Sequence, residues 1–172
     1  TESSAAWEKS FSSVKLTGDF AEDLLAIADT QLGYGESERN FVIDDNGATH
    51  GYTRYGDMFG DDYGEWSAMF VGFCAFYAEI PDEYLPETTD CNKLENKLGS
   101  RYIKAGSGYV PEPGDYIFFD FDDQTPAQRV GIVTDVDSVG GGDYRIRTVE
   151  GDDADAVRKG EYLLSDDCVA GF

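Results

Sequence analysis

The chain of 172 residues is long enough to bury most of its unfolded surface in one core, and its 41% hydrophobic and 14% aromatic content describes a globular fold, not a disordered or fibrous one. Lys and Arg number 13 against 35 Asp and Glu, a formal net charge of -22 spread along the whole sequence. That field makes nucleic acid, anionic membrane surfaces and teichoic-type polymers poor partners and leaves divalent cations and basic peptide groups as compatible ones.

The opening segment, TESSAAWEKSF, lacks the basic and apolar regions of an export signal, and no stretch has the apolar length of a membrane span, so no membrane insertion is expected. Residues 1–18 read as a lead-in to a domain at 19–172. From 19 to 32, Phe20, Leu24, Ile27, Ala28 and Leu32 recur at helical spacing, with Asp19 as the cap and Gly33 as the stop. The Asp-, Gly- and Tyr-rich segment 44–64 shows no period and is expected as an ordered loop. A helix follows from Trp66 to Ala78. Its Met69, Phe70, Phe73, Cys74 and Tyr77 fall on one face, which predicts a central position, and Pro81 lies just beyond its end. A third helix covers Cys91 to Leu98.

Gly106, Gly108, Pro111, Pro113 and Gly114 then break the chain before strands are expected at 116–119, 130–136, 144–150 and 157–164, separated by turns such as Gly140-Gly141-Gly142-Asp143. Helices first and consecutive short strands second predict an α+β fold with an antiparallel sheet. The end stops on apolar residues, as expected of a module from a larger multi-modular chain. Three cysteines, Cys74, Cys91 and Cys168, are too few for a disulfide framework and have no paired zinc spacing. Cys74 reads as a core residue, and whether Cys91 and Cys168 pair is open.

Three regions taken together, GYTRYGDMFGDDYGEWSAMF at 51–70, YVPEPGDYIFFDF at 109–121, and RVGIVTDV with RIRTVEGD at 129–136 and 145–152, resemble the CHAP family of papain-like amidohydrolases and peptidases that cut peptidoglycan. The resemblance implies a papain-like CHAP fold, N-terminal helices packed on a C-terminal antiparallel sheet, in a secreted or cell-surface bacterial protein. It also implies a cysteine nucleophile after the tryptophan at the start of the central helix, where the helix dipole favours thiolate. That position is Ser67. The family histidine precedes the Val-Gly-Ile-Val strand, and here Arg129 stands in its place. A Glu-x-Asn pair on the next strand orients the imidazole. Its counterparts are Glu150 and Asp152.

These exchanges remove the family chemistry. A serine hydroxyl needs strong base assistance that a thiolate does not. A guanidinium has only donors and no lone pair with which to accept the nucleophile's proton. A single laboratory exchange of cysteine for serine would account for Ser67 but not for Arg129 and Asp152, so natural loss of the site is the favoured account. His50, the sole histidine, has no spacing that places it beside Ser67. Arg129 and Glu150 carry complementary charge on neighbouring strands and are expected either to form a bidentate pair across the former cleft or to leave Arg129 in solvent.

Among the aromatics Tyr52, Tyr55, Phe59, Tyr63 and Trp66, packing is the first reading, Trp66 above all. Tyr52, Tyr55 and Trp66 are carried as binding residues for a peptide or glycan stem, the loop positions Tyr52 and Tyr55 foremost. No cofactor is required. Calcium is the cation the resemblance admits, with Asp57, Asp61 and Asp62 as candidate ligands near Asp44 and Asp45, although Asp-Gly turns need no metal. The same choice between turn and cation site applies to Asp120, Asp122 and Asp123. The expectation is a catalytically inactive CHAP-like module binding peptidoglycan stem peptide or an extracellular protein partner. The alternative is an active amidase or endopeptidase in which Ser67 replaces the original cysteine.

Overall fold

The computed structural model describes residues 2–122 and 127–172. Helix α1 (Ser4–Trp7) and one 3-10 turn precede α2 (Phe20–Thr30), whose N-terminus is capped by the Asp19 side chain accepting from the Glu22 N–H at 3.0 Å. A two-stranded antiparallel hairpin follows, β1 (Phe41–Ile43) and β2 (Thr49–Gly51), then α3 (Arg54–Phe59), α4 (Ser67–Tyr77) and α5 (Cys91–Leu98). The remainder is a five-stranded antiparallel sheet in the order β6-β5-β4-β3-β7, from β3 (Tyr116–Phe119), β4 (Arg129–Gly140), β5 (Asp143–Glu150), β6 (Arg158–Leu163) and β7 (Val169–Gly171). The fold is α+β with an antiparallel sheet, as the order of helical and strand patterns predicts.

The expected loop at 44–64 contains β2 and α3. Two short elements defeat a periodicity argument, because three residues of strand and six of helix span less than the window a period requires. What specifies α3 is local. Thr53 caps it by accepting from the Gly56 N–H at 2.9 Å, and Gly60 ends it in the left-handed region at φ 77. Strand β4 runs beyond 136 to Gly140 because the exposed residues 137–139 need only a backbone partner, which β5 supplies, up to a turn where Gly140, Gly141 and Gly142 all have positive φ. Strand β7 had no sequence signal. It is a strand because β3 offers it a free edge.

Helix α4 is buried on nearly all sides, from Ser67 to Ala75, with Phe76 the exception at 50% exposed. A helix apolar all round must lie inside the protein, and α4 lies between α2 and α3 on one side and the sheet on the other. Tyr116, Phe118, Val130, Ile132 and Val149 face it from the sheet, while Ile117, Phe119, Val133, Ile146 and Val169 form a second cluster on the opposite face. The alternation of strand side chains produces this division. Burial of each Phe in these clusters contributes about 1.5–3 kcal/mol. In the segment expected as a lead-in, Trp7 is buried against Phe73, ring centroids 6.2 Å apart, and donates from Nε1 to the Tyr77 hydroxyl at 2.7 Å.

Candidate functional site

Glu150, the last residue of β5, lies opposite Gly131 of β4. Its side chain lies on the second-cluster face, over β6, in space left by glycine: a Cβ at Gly160 would stand 2.2 Å from Glu150 Oε1. Fully buried at 0% exposure, the carboxylate accepts from Arg129 Nη1 at 3.0 Å and from the Tyr162 hydroxyl at 3.2 Å on Oε2, and from the Thr148 hydroxyl on Oε1. The same Arg129 nitrogen reaches Asp153 Oδ1 at 3.0 Å, and the guanidinium lies 4.6 Å above the Phe121 ring.

Arg129 and Glu150 are therefore paired, as complementary charge on neighbouring strands predicts, but not as a two-pronged fork. Gly131 holds the directly opposite position, so Arg129 approaches diagonally and divides one nitrogen between two carboxylates. Burial works against the guanidinium's charge, yet the Glu150 hydrogen bond and the fields of Glu150 and Asp153 outweigh it and raise the pKa above its ordinary value. Arg129 remains a donor and accepts no proton.

Ser67 belongs to a different environment. As the first residue of α4 it is 4% exposed, and its Oγ accepts from the Val130 N–H at 3.4 Å and lies 3.2 Å from Cys91 Sγ. Val130 faces α4, whereas Arg129, one residue earlier, shares the face of Gly131 and Val133. Ser67 thus packs on the α4 side of β4, while the Arg129 side chain leaves from the opposite face of the strand. A pocket of about 340 Å³ opens beside Ser67, lined by Glu65, Thr89, Asp90, Cys91, Asn92 and Gln128 among others.

Cys91, which sequence reasoning did not associate with Ser67, begins α5 behind the capping Asp90. The helix N-terminus favours thiolate. Burial prevails, and with the negative fields of Asp90 and Asp152 it pushes the thiol up to about 11, against the lowering effect of the Ser67 hydrogen bond. Ser67 and Cys91 are therefore both neutral at physiological pH. Cys74, Cys91 and Cys168 are all free thiols, so the pairing of Cys91 with Cys168 is not formed. The one signal for Cys91 was its place at the start of a predicted helix. Its approach to Ser67 depends on how the intervening segment returns the chain.

Asp152 stands two residues beyond Glu150 in the left-handed region at φ 62, and its Oδ2 accepts from the Trp66 N–H at 2.9 Å. Gly151 between them presses against α4, where a Cβ would stand 2.5 Å from Phe70 Cβ, so the chain can carry Glu150 to one side of the sheet and Asp152 to the helix start. Burial, with the nearby charges of Glu65 and Glu36, raises the Asp152 carboxyl to about 7, although the Trp66 N–H pulls the other way. Folded chains keep this proton up to about pH 7, whereas unfolded chains release it near the ordinary value of 3.8. The contribution of Asp152 to stability is accordingly complete below about pH 4 and drains away as pH rises to about 7. Asp152→Asn keeps an acceptor for Trp66 and removes the repulsion. It should raise the thermal midpoint at pH 8 by about 3 °C, the shift that ~1 kcal/mol makes in a chain of this size, and have no such effect at pH 4, as scanning calorimetry at the two pH values would show.

The residues carried as ligand-binding aromatics are core instead. Tyr55 and Trp66 are 0% exposed and Tyr52 is 4% exposed. Tyr55 stacks on Trp66 at 5.1 Å and meets Phe73 edge-on at 5.0 Å, while the Tyr52 hydroxyl accepts from the Glu2 N–H at 3.0 Å. For Tyr55 the cause is α3, which packs against α4; Trp66 is buried at the start of α4 itself, and Tyr52 lies under the N-terminal segment.

The carboxylates expected to hold calcium do not converge either. Among the described residues, the acidic group with oxygens within 4.8 Å of one another is Glu36, Asp152 and Asp155, not Asp57, Asp61 and Asp62, which α3 and Gly60 distribute around a helix end. Glu36 is already engaged, with Oε1 accepting from Trp66 Nε1 at 2.9 Å and Oε2 from the Gly51 N–H at 2.6 Å. Gln128 Nε2 donates to Asp120 Oδ1 at 3.1 Å and to Asp122 Oδ1 at 2.8 Å, and Asp123 lies outside the described residues.

Compared with known protein families, curated proteins and solved structures, the chain matches none. The site's chemistry is therefore read from its own atoms. It consists of a pocket whose hydroxyl and thiol are neutral and hydrogen-bonded to each other, with the adjacent cation turned away and locked between carboxylates.

Proposed function

We propose that this chain is a catalytically silent CHAP-like module of papain-like architecture, from a secreted or cell-surface bacterial protein, that holds peptidoglycan stem peptide or a protein partner in the pocket beside Ser67. One observation carries the reading. At the position where the resembling family needs a proton acceptor, Arg129 is permanently charged and held by Glu150 and Asp153, on the other side of the sheet from the Ser67 hydroxyl. A nucleophile without a base does not turn over amide substrates. The pocket of about 340 Å³ remains, and it is of the size that takes a few residues of peptide.

Two measurements test this. Purified protein incubated with peptidoglycan should release no new amines, and turnover would replace the silent reading with the amidase or endopeptidase one. The protein should also sediment with insoluble cell walls, and Thr89→Trp, which fills the pocket mouth, should abolish sedimentation while leaving the thermal midpoint unchanged. Protein that stays in the supernatant, or a Thr89→Trp variant that still sediments, would remove the cell-wall ligand from that pocket.

A further inference from the structure

The hairpin of β1 and β2 stands apart from the five-stranded sheet, and its first strand is unusual for a surface element. Phe41 is 44% exposed, Val42 42% and Ile43 63%, three consecutive large apolar side chains turned to solvent. The hydrogen-bond parity shows which edge is free. The Asp44 N–H donates to the Ala48 carbonyl at 2.9 Å and the Tyr52 N–H to the Asn40 carbonyl at 2.8 Å, so residues 40, 42 and 44 turn their backbone groups toward β2. Phe41 and Ile43, of opposite parity, turn theirs outward.

We propose that this edge is a self-association surface, on which β1 of a second copy pairs antiparallel to form a four-stranded intermolecular sheet. A two-fold axis through Val42 brings the outward N–H and C=O groups of Phe41 opposite those of Ile43 in the second copy, and the reverse. Charge selects that register. Arg39, in the bend before the strand, and Asp45, in the turn after it, are both exposed, and the Val42 axis brings the end of β1 that carries Arg39 beside the end that carries Asp45 in the other copy. An axis at Phe41 would place Ile43 against Arg39, and an axis at Ile43 would place Phe41 against Asp45. Only the central register matches apolar with apolar and cation with anion. Asp44 is not part of the match, since its Oδ1 accepts from the Asn46 and Ala48 N–H groups within its own turn. This inference does not depend on the pocket beside Ser67.

Sedimentation velocity over a range of concentrations tests it, at about 0.15 M salt, where a Debye length of about 8 Å screens the long-range repulsion between copies that each carry a net charge of -22 but leaves charges in contact able to attract. The expected result is a reversible monomer–dimer equilibrium. Val42→Lys, which sets two ammonium groups against each other at the axis, should abolish the dimer. Arg39→Asp should weaken it by about tenfold, two ion pairs being lost, and Arg39→Asp combined with Asp45→Arg should restore it to within about twofold. These positions are exposed, and circular dichroism would confirm that each variant is folded. A chain that stays monomeric at every concentration overturns the proposal, as does a dimer indifferent to Val42→Lys or a charge swap that fails to rescue.

Discussion

Arg129→Ala should lower the free energy of unfolding by about 3–5 kcal/mol at neutral pH, the largest loss expected of a single charge removal in this chain. The reason lies in what remains behind. Glu150 is fully buried, and its carboxylate would retain only the Thr148 and Tyr162 hydroxyls as partners. It could not relax toward water, because Gly131 and Gly160 exist to accommodate it where it is and its strand is paired on both sides. Urea denaturation followed by tryptophan fluorescence measures the loss. Arg129→Met together with Glu150→Gln should recover most of it, since the cost arises from an uncompensated charge and not from absence of the pair. A loss below about 1 kcal/mol would mean that water reaches Glu150 and that the pair behaves as a surface ion pair.

Trp66→Ala should cost about 3–5 kcal/mol as well, by a different mechanism. The indole is fully buried against Tyr55, and its Nε1 satisfies Glu36, so truncation opens a cavity and removes a donor from a carboxylate that also serves Gly51. Tyr55→Phe should cost far less, about 0.5–1.5 kcal/mol, because only the hydroxyl bond to Gln31 is lost and the ring stays in place. Chemical denaturation of both variants separates core from ligand surface. A binding aromatic on an open groove would change stability by within about 0.5 kcal/mol, and such a value for Trp66 would contradict its burial.

Much of the scaffold was legible before any coordinates. Asp19 announced α2, the spacing of Met69, Phe70, Phe73 and Cys74 announced a central helix, and consecutive short strands after the helices announced an antiparallel sheet. The elements that were missed share one property, shortness. For β1, β2 and β7, three residues each, a pairing partner supplies the reason to be strand, the other arm of the hairpin for β1 and β2 and the distant β3 for β7, and propensity over three residues does not. The misassignment of Tyr55 followed from the same source, since overlooking α3 made a loop of a residue that a helix directs inward, whereas Tyr52 is covered by the N-terminal segment, to whose Glu2 its hydroxyl is bonded.

The candidate site was legible as residue types and not as an arrangement. Charge complementarity made the pairing of Arg129 with Glu150 one of two readings, the other being Arg129 in solvent, and burial of Glu150 decides between them, because a carboxylate without water needs a partner. Asp153 as second partner, Cys91 beside Ser67, and the separation of Ser67 from Arg129 were not readable in that way. Each depends on which face of the sheet a strand residue takes and on how the chain between elements returns.

By itself the sequence determined the class of fold, the strongly acidic net charge, and the absence of a proton acceptor at position 129, because all three depend on side-chain identity and local periodicity. Tertiary structure alone decided which groups meet, since contact between residues far apart in the chain is set by packing α4 against both layers. That packing turned an expected aromatic ligand surface into core, moved the acidic cluster from Asp57, Asp61 and Asp62 to Glu36, Asp152 and Asp155, and left Phe41, Val42 and Ile43 outside.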